Sequence, residues 1–170
     1  GSGKTSLLRI ICGLAVPTMG EVSWRGESIR RLREEYWKDV SYIAHASAVK
    51  DDLTAQENVE IGCRLSGLTV TGAAAAAALD EFGVAQCAFL PARSLSQGQR
   101  RRVALSRLTL SASVPIWVLD EPFTALDRAA VAVLQGLIAA HLLRGGIVVL
   151  TTHQEVAIEA ASSMRIDLNG

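Results

Sequence analysis

The stretch IWVLDEP (116–122) restricts the fold of this chain more than any other. Four consecutive large apolar residues leave no polar face, so the run suits a strand buried on both sides and closed by Pro122. Strands of that kind belong to parallel sheets covered by helices. IVVLTTH (147–153) has the same character. Between the two runs lies a helical stretch, 128–143, that Asp127 caps and Gly145-Gly146 ends. Strand, covering helix and strand make the repeating unit of an α/β fold with a mostly parallel sheet. Ligands of such sheets collect at the carboxyl ends of the strands, where the two runs deliver Asp120, Glu121 and His153.

The rest of the chain fits one globular domain, 1–170, since 170 residues with 49% hydrophobic content support a single sizeable core. TSLLRIICGL reads as a helix with Leu7, Leu8, Ile11 and Leu14 on one stripe. GEVSWRGESI alternates around an Arg25-Gly26 turn as a hairpin does, and VSYIAH (40–45) reads as a strand. Residues 50–92 form an inserted helical subdomain, with Thr54 and Glu57 at capping-box spacing before one helix and an alanine-rich helix after it. Ser96 and Gln99 repeat the capping box ahead of RRRVALSRL. A last helix is expected over 154–162 and a last strand at RIDL.

Lys+Arg and Asp+Glu balance at 17 each, which argues against a nucleic-acid partner held by a general basic field. The longest apolar stretch, 129–143, has 15 residues, short of the roughly 20 that cross a bilayer. Cys12, Cys63 and Cys87 lack metal-ligand spacing and read as reduced thiols of a cytosolic protein. Arg100, Arg101 and Arg102 fan around the next helix and read as solvated and neutral to packing.

The chemistry gathers at three places. GSGKTS (1–6) has the last five positions of the phosphate-loop pattern, in Gly1, Ser2, Gly3, Lys4 and Thr5, with Ser6 following. Glycines let successive backbone N–H groups turn onto phosphate oxygens, and the following helix adds partial positive charge. Lys4 would reach the β- and γ-phosphates and the Thr5 hydroxyl would ligate Mg2+; a plain glycine turn is the alternative. Asp120 would hold the metal and Glu121 would polarise the attacking water, unless the pair only caps a strand. His153 suits a γ-phosphate contact or a structural role. The helix start Ser96, Gln97, Gly98, Gln99 offers a second anion site in the same polypeptide.

With GSGKT, LSQGQ (95–99), IWVLDEP, TALD (124–127) and TTH (151–153) in that order, the sequence resembles ABC-type ATPases. The resemblance implies a P-loop NTPase fold of the ABC type and ATP and Mg2+ as cofactors. Lys4, Thr5 and Asp120 would serve phosphate and metal, Glu121 would be the catalytic base, and His153 the γ-phosphate sensor. It also implies a second nucleotide-binding subunit, over whose ATP Ser96, Gln97, Gly98 and Gln99 would close. Two positions depart from the pattern: Gln97 replaces the commoner glycine, and His45 stands where a metal-sensing glutamine is usual. YIAH, DEPFTALD and GGIVVLTTHQ resemble the ATP-binding subunits of haem exporters in bacterial c-type cytochrome maturation. That likeness implies a peripheral subunit on the cytoplasmic face of the inner membrane, working with integral membrane transporter subunits while the complex, not this chain, handles haem. It also implies that the first strands, the first glycine of the loop and the adenine-stacking aromatic residue are missing before residue 1, and residues 1–170 alone are expected to bind ATP weakly or not at all. Another ABC exporter, a soluble ABC protein acting on nucleic acid and a non-hydrolytic cassette remain alternatives; the neutral charge speaks against the second.

Overall fold

The computed structural model describes residues 3–45, 48–154 and 156–168. Three parallel strands form its sheet in the order β3-β4-β5: β3 (Val40–Ile43), β4 (Ile116–Asp120) and β5 (Ile147–Thr151). The register runs from Val40 beside Ile116 and Ile116 beside Ile147 up to Asp120 beside Thr151. Every residue of β4 is buried. A hairpin of β1 (Ser23–Trp24) and β2 (Glu27–Ser28) stands apart from this sheet. Its two-residue turn holds Arg25 at φ 52° and Gly26 at φ 83°, the left-handed pair that matches strand twist.

Period two in β4 divides the core. Ile116 and Val118 meet Leu8, Cys12, Ile29 and Tyr36, contributed by α1 (Lys4–Ile11), α2 (Ile29–Leu32), α3 (Glu34–Lys38) and their margins. Trp117 and Leu119 point the other way, into the larger cluster with Leu105, Leu108, Leu134 and Ile138. Those four come from α6 (Gln97–Leu110) and α7 (Arg128–Leu143). Trp117 also stacks on the buried ring of His141, with centroids 3.9 Å apart and planes within 8°. Leu14, expected on the α1 stripe, lies beyond the helix end and is exposed.

Between β3 and α6 lie α4 (Ala55–Leu65) and α5 (Gly72–Glu81), packed on each other and on α6. Thr54 and Glu57 complete the α4 capping box, and the Thr71 hydroxyl caps α5. The buried Asn58 amide ties the preceding loop down, accepting from Lys50 N and donating to carbonyls of Lys50, Leu53 and Thr54. Asp127 caps α7 by accepting from Ala130 N at 2.9 Å.

Two expected elements are absent among the described residues. Neither a helix at 154–162 nor a strand at RIDL forms. Val156 and Ile158 alternate against the core with exposed neighbours, a period-two contact that suits extended chain and not a helix. The side chain of Gln135 donates to Ala157 O at 2.7 Å, taking one backbone acceptor of the segment. RIDL has no strand partner in either sheet.

Candidate active site

The carboxyl edge of the sheet collects side chains from three distant segments. Asp120 has the parity of Ile116 and Val118, so its carboxylate emerges on the α1 side of β4. There Thr5 Oγ1 donates to Asp120 Oδ2 at 2.9 Å. From the neighbouring strand, Thr151 Oγ1 donates to Asp120 Oδ1 at 2.6 Å and accepts from Glu121 N at 2.9 Å. Asp120 is 1% exposed, and both its carboxylate oxygens have donors. Glu121 sits at φ 48°, a left-handed conformation that costs a non-glycine residue about 1 kcal/mol or more.

Lys4, His153 and Glu121 meet above this mesh. Lys4 Nζ donates to His153 Nε2 at 3.0 Å, and that ring nitrogen lies 3.4 Å from Glu121 Oε1. His153 N donates to Glu121 Oε2 at 3.2 Å. Glu121 Oε1 is buried and accepts no hydrogen bond, because the imidazole nitrogen beside it is engaged by the ammonium. A carboxylate oxygen with its acceptor capacity unused, beside an exposed imidazole, is the kind of group that can polarise a water.

Helix α1 starts at Gly3 with φ 74°, has no side-chain cap and carries no acidic residue in its first turn. Its first amides therefore have neither an intrahelical acceptor nor a capping oxygen, the condition for receiving an anion. Ser6 is exposed on that turn. Gly1 and Ser2, read above as phosphate-loop residues, lie outside the described residues.

Helix α6 begins differently. Ser96 Oγ accepts from Gln99 N at 3.2 Å, and Gln99 Oε1 accepts from Ser96 N at 2.8 Å. The Gln99 side chain is thus engaged in its own helix, while the amides of Gln97 and Gly98 have no intrahelical acceptor. A Cβ on Gly98 would lie 3.0 Å from Ala125 O, so the helix start presses against the TALD turn of its own chain. Among the described residues, no hydrogen bond joins Ser96, Gln97, Gly98 or Gln99 to Lys4, Thr5, Asp120, Glu121 or His153. The two candidate anion sites are separate features of one chain.

The arginine run departs from its solvated reading. Arg100 Nη1 pairs with Asp51 Oδ1 at 2.6 Å, and Arg102 Nη1 lies 3.6 Å from Asp127 Oδ2. Arg101 is 3% exposed; burial pushes its pKa down, against the pull of Asp120 and Glu121. Its position has a sequence signal, since 101, 104, 105 and 108 make an i, i+3, i+4, i+7 buried stripe on α6. Thr151 was likewise absent from the sequence-based site, although its register beside Asp120 brings its hydroxyl there. The three cysteines are buried and free, and burial pushes the Cys12 thiol up to about 12 and raises that of Cys63. No group of three or more potential metal-binding side chains (His, Cys, Asp or Glu) occurs among the described residues.

Comparison with known proteins brings in relatives. Residues 1–124 match the ABC transporter family. The cytochrome c biogenesis ATP-binding export protein CcmA of Nitrosospira multiformis is 51% identical over 168 residues, covering 99% of this chain and 81% of that protein. The protein of the same name from Pseudomonas aeruginosa is 44% identical over 166 residues, covering 98% of this chain and 81% of the relative. Among solved structures, the bacterial ABC transporter cassette MJ0796 in dimeric form superposes with a TM-score of 0.76 at 27% identity, over 90% of this chain and 71% of that one. A dimeric post-hydrolysis state of MJ0796 bound to ADP and Pi gives a TM-score of 0.74 at the same identity and coverage.

Proposed function

This chain belongs to the ABC transporter family, and on that premise we propose that it binds and hydrolyses ATP at the α1 edge of the sheet to power an export step of cytochrome c biogenesis. The observation that carries the reading is the convergence of Lys4 and Thr5 from α1 with Asp120 and Glu121 from β4 and His153 after β5. Residues 115 and 149 positions apart in sequence meet at hydrogen-bonding distance on the sheet edge where α/β folds bind ligands.

In this reading the free amides at the start of α1 and the Lys4 ammonium receive the phosphates. Thr5 Oγ1 and Asp120 Oδ2, two hard oxygens 2.9 Å apart, fit Mg2+, which when bound offsets the charge of the β- and γ-phosphates. Glu121 orients water through the carboxylate oxygen that has no donor and accepts its proton. His153, held by its own N–H to Glu121 Oε2, presents its ring toward the γ-phosphate beside Lys4.

The start of α6, distant in its hydrogen bonding from the Lys4 cluster, serves the nucleotide of a second copy, which makes the working unit a dimer. Supporting this, MJ0796 is described as a dimer. No helix among the described residues is long and apolar enough to cross a membrane. In this reading, which the likeness to export proteins of cytochrome c biogenesis supports, the chain docks peripherally on integral membrane subunits at the cytoplasmic face of the bacterial inner membrane, and the complex handles haem as cargo.

The test is Glu121→Gln in the full-length protein. Turnover drops at least roughly 10²-fold while ATP binding persists, and ATP shifts the variant to a dimer in size-exclusion chromatography. Unchanged phosphate release would remove Glu121 from the role of base.

A further inference from the structure

The guanidinium of Arg101 makes four hydrogen bonds, all to backbone carbonyls. Nη2 donates to Asp120 O at 2.8 Å and to Glu121 O at 2.9 Å. Nη1 donates to Ala44 O at 2.8 Å and to His45 O at 3.3 Å. Nε is buried without an acceptor, and no carboxylate forms an ion pair with Arg101 among the described residues. A buried, unpaired cation is costly, so these four bonds are what holds it there.

The pairing of the acceptors has a geometric consequence. Two consecutive carbonyls lie on successive peptide planes, and the rotation between those planes is set by φ and ψ of the second residue. A nitrogen that grips both oxygens therefore fixes that residue's backbone, and with it the direction in which its Cα–Cβ bond points. One end of the guanidinium brackets Glu121 in this way, and the other brackets His45. Glu121 is the residue that needs holding, since its φ of 48° lies outside the favoured regions for a side chain. Glu121 N, already donated to Thr151 Oγ1, completes the restraint from the other side.

We infer that Arg101 is a positioning residue that sets the directions of the Glu121 carboxylate and the His45 imidazole together, making hydrolysis depend on the conformation of the loop after β3. A displacement of Ala44 and His45 acts on the same planar group that holds Glu121. Lysine cannot replace it, because one ammonium nitrogen lacks the fork that spans two carbonyl pairs. Arg101 stands on α6, whose first turn holds Gln97, Gly98 and Gln99, the last three residues of LSQGQ, so that motif, the loop after β3 and Glu121 are tied to one helix.

The inference rests on the ATPase reading above, and the experiment separates the two. In the full-length protein, Arg101→Lys keeps the charge, melts cooperatively and binds ATP within roughly threefold of the unsubstituted affinity, while kcat falls at least roughly tenfold. An Arg101→Lys protein with unchanged kcat overturns the inference, as does one whose kcat and ATP affinity fall together with the folded fraction. Absence of turnover in the unsubstituted protein overturns the ATPase reading instead. If the lysine variant does not fold, NMR of arginine side chains in the unsubstituted protein decides. The inference requires Nη signals with hindered rotation that shift when ATP is added, and freely rotating or ATP-insensitive signals sink it.

Discussion

At its amino end β4 feeds Trp117 into a stack with His141, and three residues later it delivers Asp120 into a mesh of two hydroxyls. Both ends are equally buried, but the solvation each has lost is replaced by different means. Trp117 is covered by aromatic and aliphatic contacts, and its indole N–H donates to Ser111 O. Asp120 is covered by donors, each from a different element. An apolar end tolerates local repacking because dispersion is undirected, whereas a hydrogen-bonded carboxylate fixes the position of everything that bonds to it. The strand thus has one end that stabilises and one end that positions.

Three substitutions or titrations can break this contrast or sharpen it. The largest effect is expected at the amino end: Trp117→Ala should lower unfolding free energy by about 3–5 kcal/mol in denaturant melts, with the ATP affinity of the folded fraction unchanged. A large affinity change would mean the two ends are not separable. Next comes Thr151→Val, which keeps the shape but leaves Glu121 N without its acceptor and Asp120 Oδ1 without its donor. It should cost about 1–3 kcal/mol and depress turnover, with Thr151→Ser restoring both. A valine variant with full turnover would mean the hydroxyl positions nothing.

The smallest effect is a pH dependence at the amino end. Burial, aided by Arg144, pushes the His141 pKa below its ordinary value, against hydrogen bonds of the ring to the Pro115 and Ile147 backbone. Above about pH 6.5 the ring is neutral in both states and contributes no pH dependence. As the pH falls below that, the unfolded chain takes up the proton first, so stability declines until the folded-state pKa is passed. The slope cannot exceed about 1.4 kcal/mol per pH unit for one group, and subtracting a His141→Leu titration isolates it. No difference between the two curves would mean that His141 is not held neutral.

Legibility in the sequence followed the range of the signals. Helix α7 could be bounded because Asp127 and Gly145 mark its ends with local chemistry, and β4 because its apolar run has one physical solution. The stretch 154–162 misled because its alanines and Glu159 favour a helix in isolation, while Val156 and Ile158 pack on the core at a spacing of two. The short helices α2 and α3 carry too few residues for periodicity to register. At the candidate site, residue types announced Lys4, Thr5, Asp120 and Glu121. Arg101 was hidden because its partners are backbone oxygens, which no sequence displays, and Thr151 because its use depends on register between strands.

The alternation in β4 has one last consequence, for inheritance. Asp120 reaches Thr5 because it shares parity with Ile116 and Val118, and both neighbouring strands lock that register. Inserting or deleting one letter in the run would swap which side each carboxylate faces, whereas exchanging Ile for Val would leave both where they are. Mutational drift can therefore respell this strand freely within its apolar alphabet, yet its length is all but frozen.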